Sequence, residues 1–121
     1  MGPPSPELTQ FALWALEQTL DRLAESGQPA APVIWYLSGG KRLAAIFDDS
    51  APIDACRAQV AQLDGPIEHY ALVYAATQLA DGIEHEALVA EAGDAAEEYR
   101  FGVVHATKQI MVSHIGPSRR A

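Results

Sequence analysis

The sequence has a single cysteine, Cys56, among its 121 residues, and this excludes an intrachain disulfide. It has no run of about 18 uncharged apolar residues, the length expected of a membrane-spanning helix. The amino end lacks the basic segment and apolar run that are typical of a secretory signal. These absences predict a cytoplasmic protein of a reducing compartment with no membrane partner.

Basic residues are also scarce, because 8 lysines and arginines stand against 16 aspartates and glutamates. The resulting net charge of −8 repels the phosphate backbone of nucleic acid. The basic pair at the carboxyl end, Arg119-Arg120, has the pattern of a solvated end. We therefore predict no nucleic-acid partner.

The residues that are present have an ordinary globular composition, 49% hydrophobic and 20% charged. A chain of this length forms one domain, residues 1–121, with residues 1–4 and 116–121 as flexible ends. Aromatic residues make up only 7%, so the core must close over small side chains.

Two segments have the apolar spacing of helices. Ser5-Pro6-Glu7 combines a capping serine with a first-turn proline and an acidic residue, and predicts a helix over residues 6–26. A second apolar stripe predicts a helix over residues 52–63 with Cys56 on its buried face. There the thiol serves as a small hydrophobic side chain and is not expected to be a nucleophile.

The remaining segments have the composition of strands. Residues 33–37 and 42–47 flank the turn Ser38-Gly39-Gly40-Lys41 and predict a hairpin. Three further strands predict a meander, and residues 110–115 are expected to extend the last of them: His69–Leu79, Ile83–Ala92 and Tyr99–Gln109.

The register of the meander follows from its turns. Asp81-Gly82 is a two-residue hairpin signal, and it pairs Thr77 with Glu86. Pairing Ala92 with Tyr99 at the next turn places Arg100 opposite Glu91, where opposite charges favour the match. The same register places His105 opposite Glu86.

These elements predict an α+β fold in the order α-β-β-α-β-β-β. An antiparallel sheet of about five strands carries both helices on one face. Neither face of the meander is clearly polar, so the second face also needs a cover. We predict that a second subunit covers it and that the protein is a homodimer.

One row of polar residues has catalytic character. Thr77, Glu86 and His105 are cross-strand neighbours on one face, and a carboxylate beside an imidazole can produce a general base. The same row also fits a polar border that closes the core. No nucleophile or oxyanion loop accompanies it, so whether the protein is an enzyme stays open.

The four histidines do not form a metal site in this register. His69 and His85 fall at opposite ends of one hairpin, and His85 and His105 point to opposite faces. We predict no metal and no cofactor.

The sequence does not identify an activity, and it leaves two hypotheses. The first is a non-enzymatic interaction or scaffold domain that is homodimeric through a sheet surface or binds another protein. The alternative is a small enzyme or small-ligand-binding protein that uses Glu86 and His105.

Overall fold

The computed structural model describes residues 3–26, 31–48 and 50–120. It confirms the α+β class and the antiparallel sheet. The elements in chain order are α1 Pro6–Ser26, β1 Val33–Ser38, β2 Lys41–Ile46, α2 Ile53–Gln62, β3 His69–Ala80, β4 Ile83–Gly93, β5 Glu97–Val104 and β6 Ile110–Pro117. Residues 1 and 2 of the predicted flexible start lie outside the described residues.

The sheet has six strands in the order β2-β1-β3-β4-β5-β6, one more than the sequence predicted. The predicted single strand from Tyr99 to residue 115 is wrong, because the chain turns after Val104 and returns as β6. Lys108 takes a positive φ of 58° in this turn, and its N–H donates to the carbonyl of Val104 at 2.8 Å. The turn has no glycine or proline, so the sequence carries no usual signal for it.

The predicted register of the meander is confirmed. Thr77 pairs with Glu86 across β3 and β4, and Glu91 pairs with Arg100 across β4 and β5. Asp81 and Gly82 have φ values of 53° and 76°, the left-handed conformations that a type I′ hairpin turn requires. The turn therefore fixes which side chains share each face.

The two helices lie on opposite faces of the sheet, and the prediction that they share one face is wrong. Helix α1 packs its apolar stripe on a cluster that includes Val73 and Phe101. Helix α2 packs Cys56 and Val60 on a second apolar cluster, which includes Leu72 and lies on the other face of the sheet. Successive strand residues point to opposite faces, so these two clusters are separated by the sheet. The second face, for which a second subunit was predicted, is covered by α2.

The outer strands are β2 and β6. Strand β6 has no aspartate, glutamate, lysine or arginine, and Ile110, Val112 and Ile115 on it are 47%, 47% and 43% exposed. Strand β2 instead begins with Lys41-Arg42. No helix within the described ranges has the length and apolarity needed to cross a membrane.

Candidate functional site

The predicted site residues Thr77, Glu86 and His105 are neighbours across the strands, but their side chains do not contact one another through hydrogen bonds or ion pairs in the described structure. Thr77 and Glu86 are paired and exposed, and the N–H of His105 donates to the carbonyl of Glu86 at 3.0 Å. The His105 ring is half-buried, and its Nε2 is buried without a hydrogen-bond partner. No hydrogen bond or ion pair joins the three side chains, all of which lie in the described part.

A larger polar cluster lies on the α2 face of the sheet, centred on the buried carboxylate of Glu91. Arg57 on α2 donates Nε to Oε1 at 2.9 Å and Nη2 to Oε2 at 2.8 Å. Arg119 donates Nη2 to Oε1 at 3.1 Å, and the hydroxyl of Tyr74 donates to Oε2. Four donors therefore satisfy a carboxylate that is only 4% exposed.

A second buried carboxylate, Glu98 on β5, continues the cluster. The hydroxyl of Tyr70 donates to its Oε2 at 2.6 Å, and Nε of Arg119 donates to the same oxygen at 2.9 Å. The backbone N–H of Arg119 donates to the Tyr70 hydroxyl at 3.2 Å. Arg119, which was predicted to belong to a solvated end, thus binds two buried glutamates.

The neighbouring arginine, Arg120, fixes the end of α2. Its Nη1 donates to the carbonyls of Val60 and Leu63 at 2.9 and 2.8 Å, and Nη2 donates to Gly65 at 2.9 Å. Carbonyls at the end of a helix lack intrahelical donors, and a cation complements the negative end of the dipole. Residues 118–120 therefore hold α2 and the buried glutamates together.

The electrostatics of the cluster keep Glu91 ionised. Burial raises the pKa of Glu91. The hydrogen bonds from Arg57 and Tyr74, together with the charges of Arg57 and Arg119, lower the pKa by more than burial raises it, so the net pKa lies below its ordinary value. The hydrogen bond to Glu91 raises the pKa of Arg57. Burial, followed by the hydrogen bond to Glu91, raises the pKa of Tyr74. The phenol therefore stays a proton donor at neutral pH.

The cluster forms one wall of an open pocket of about 600 Å³. Arg100 on β5 also lines it and has no hydrogen-bond or ion-pair partner in the described structure. The predicted Glu91–Arg100 register is correct, but the charge pair is not formed, because Arg57 and Arg119 occupy the Glu91 carboxylate. The lining residues are Asp54, Arg57, Tyr74, Glu91, Arg100, Ile115 and Arg119.

A smaller pocket of about 370 Å³ lies on the α1 face. Its lining is mainly apolar and consists of Pro3, Pro4, Thr9, Tyr99, Phe101, Val112, Ser113 and His114. Nε2 of His114 lies 2.7 Å from Oε2 of Glu97, and its ring meets Tyr99 edge-on with centroids 5.1 Å apart. These contacts hold the His114 ring in place as part of the pocket wall.

The described residues contain no group of three or more histidine, cysteine, aspartate or glutamate side chains placed to hold a metal ion. His69 lies beside the Phe11 ring with centroids 5.8 Å apart, and its Nδ1 is buried without a partner. The absence of a metal or cofactor site stays a prediction.

The residues of the larger cluster were not among the predicted site residues. Its one usable signal was Glu91, an acidic residue that the register places among apolar neighbours on a sheet face. A buried carboxylate needs partners. The partners come from distant segments, Arg57 on α2 and Arg119 beyond β6, which a strand register does not reveal.

The chain matches no protein-family model, no curated protein and no solved structure.

Proposed function

We propose that this protein is an interaction domain that forms a homodimer by pairing the β6 strands of two copies edge to edge. The observation that carries this proposal is the chemistry of β6, a strand of eight residues with no aspartate, glutamate, lysine or arginine. An outer strand presents unpaired backbone N–H and C=O groups, and natural proteins usually protect such an edge with charges. Strand β6 lacks these charges, and its register shift and Pro117 lie only at its far end, which leaves residues 110–114 without protection.

The contrast with the other edge supports the choice of β6. Strand β2 starts with Lys41-Arg42, which disfavours strand addition there. Strand β6 exposes Ile110 and Val112, each 47%, on the side of the sheet that α1 covers. Both sheet faces already carry a helix, whereas the edge strands present unpaired backbone groups to a partner.

The net charge of the chain favours β6 over other surfaces as the place where two copies meet. Each chain carries a net charge of −8, so two copies repel each other wherever their acidic surfaces meet. An uncharged strand is the segment on which this repulsion is smallest. An antiparallel pairing centred on Val112 places that residue opposite its own copy and Ile110 opposite His114. These pairs lie on one face, as the pleat requires.

Sedimentation equilibrium at micromolar concentration tests the proposal. The wild type is expected at twice the 13.0 kDa of one chain. Val112→Lys places a charge at the centre of the pairing and is expected to give a monomer. Ala44→Lys is the matched control, because Ala44 is exposed on β2, the opposite edge, and this variant is expected to stay dimeric. A monomeric wild type, or a dimer that persists in Val112→Lys, contradicts the proposal.

A second candidate function is ligand binding or catalysis at Glu86 and His105. It is favoured by the buried, unpartnered Nε2 of His105, since buried polar atoms normally have a partner. His105→Gln tests it. If stability falls and no small-molecule binding changes across a metabolite panel, the ring has a structural role. Loss of a ligand that the wild type binds supports the second function.

A further inference from the structure

We propose that the open pocket between α2, β5 and β6 is a binding site for a small monocarboxylate, with Arg100 as its main anion-binding residue. The pocket volume of about 600 Å³ falls within the range of small-molecule sites. The proposal does not depend on dimer formation, because Arg100 and Arg119 belong to one chain.

The donors that remain free in the pocket identify the anion-binding groups. Every nitrogen of Arg57 already has an acidic partner, since Nε and Nη2 bind Glu91 and Nη1 binds Asp54 at 2.7 Å. Arg119 uses Nε on Glu98 and Nη2 on Glu91, which leaves Nη1 without a partner. The guanidinium of Arg100 has no partner in the described structure. Arg100 and Arg119 both line the pocket, so the Arg100 fork and the spare Arg119 nitrogen are the donors that remain for an incoming anion.

The buried glutamates give this site a fixed geometry. Burying charged groups costs solvation free energy, and a buried ion pair is weak evidence of stabilisation alone. Here Glu91 and Glu98 hold the Arg119 guanidinium at two of its nitrogens. The third nitrogen is therefore positioned before any ligand arrives, and such preorganisation reduces the entropic cost of binding.

The charge of the lining selects the class of ligand. Three arginines and two acidic residues line the pocket, and a third carboxylate, Glu98, accepts from Arg119 behind the lining. The charges of the cluster therefore balance, with Arg100 as the guanidinium that is not paired. A monoanion pairs with the Arg100 guanidinium and adds one negative charge to the cluster, whereas a dianionic phosphate adds two near Glu91 and Asp54 and meets more repulsion. A carboxylate also matches the planar guanidinium in a two-pronged hydrogen bond. Ile115 and the Tyr74 ring offer contact to an apolar ligand body.

Titration of the ¹⁵N-labelled protein with sodium benzoate, read by amide chemical shifts, tests the site. A ligand of this size is expected to bind with a millimolar dissociation constant and to shift amides of β5, α2 and residues 118–120. Arg100→Gln is expected to weaken binding at least about tenfold, and Arg100→Lys by less, because lysine keeps the charge but loses the fork. Arg22→Gln is the matched control, since Arg22 is exposed on α1.

A parallel titration with inorganic phosphate at equal ionic strength separates the two anion classes. Benzoate binding that is lost in Arg100→Gln and kept in Arg22→Gln, with weaker phosphate binding, supports the proposal. Three results overturn it: no benzoate shifts up to about 20 mM, equal binding by Arg100→Gln and the wild type, or tighter binding of phosphate than of benzoate. Arg100 has no protein partner, so its variants are expected to fold.

Discussion

Arg57 on helix α2 and Glu91 on strand β4 form a two-pronged ion pair, with Nε and Nη2 at 2.9 and 2.8 Å from the two carboxylate oxygens. The pair joins the helix to the sheet face that it covers. Glu91 is 4% exposed, whereas Arg57 and Arg119 are 33% and 30% exposed. The carboxylate is therefore the group that depends on its partners, and the arginines retain access to water.

Glu91→Gln is expected to lower the free energy of unfolding by about 2 kcal/mol, because two guanidinium groups lose their shared anion. The expected loss is smaller than for a fully enclosed pair, because both arginines can turn toward solvent. Urea denaturation at neutral pH measures it. Glu84→Gln, at an exposed position of the same strand, is the control and is expected to change little. Equal stability of both variants would show that the cluster does not stabilise the fold.

The pH dependence of stability follows from the lowered pKa of Glu91. The folded carboxylate takes up its proton at a lower pH than the unfolded one, so acid favours the unfolded chain. The stabilisation by Glu91 is complete above the ordinary pKa of 4.5 and is lost as the pH falls from there through the folded pKa. Urea midpoints from pH 7 to pH 3 are expected to converge for wild type and Glu91→Gln. Parallel curves would contradict this assignment.

Two glycines offer a matched test of close packing on the α2 face. A Cβ at Gly93 would collide with the buried ring of Tyr70. This ring cannot easily move away, because the Tyr70 hydroxyl donates a hydrogen bond to Glu98. A Cβ at Gly102 would meet the end of the Gln78 side chain, which can turn away. Gly93→Ala is expected to cost about 2–3 kcal/mol, and Gly102→Ala about 1 kcal/mol or less.

Thermal or urea unfolding of both glycine variants compares these costs directly. A smaller loss for Gly93→Ala than for Gly102→Ala would show that the Tyr70 ring moves more freely than the Gln78 amide.

The thiol of Cys56 is expected to be unreactive in the folded protein. It is fully buried on α2, and this burial raises its pKa, against a smaller lowering by a backbone hydrogen bond. Burial slows the attack of this thiol on a disulfide reagent in two ways. The raised pKa reduces the amount of reactive thiolate, and the packing keeps the reagent away from the sulfur. Labelling monitored by absorbance is expected to be slow in buffer and to rise across the urea transition. Complete labelling within minutes in buffer would contradict this packing of α2.

The register of the meander could be predicted from the sequence because its causes are local. The Asp81-Gly82 turn fixes one hairpin, and the two-residue period of side chains then assigns every position to a face. The turn before β6 was missed because the segment around Lys108 adopts a positive φ without a glycine. The number of strands was therefore one too low.

The positions of the helices and the partners of Glu91 could not be predicted in this way. Which face a helix covers depends on the path of the chain between strands, and the apolar stripes of α1 and α2 fit either face. Arg100 is the cross-strand neighbour of Glu91, yet the carboxylate binds arginines from outside the meander. Long side chains reach beyond the ladder, so register alone does not identify ion partners.

The strand order has a consequence for the folding pathway. From β3 to β6 each strand pairs with the next along the chain, so the meander forms from contacts close in sequence. Helix α1 begins at Pro6 but packs mainly on β3 and β4, so its docking closes a much longer loop. We expect the meander to form first and α1 to dock last. Pulsed hydrogen exchange during refolding would then show protection of β4 before protection of α1, and the reverse order would exclude this pathway.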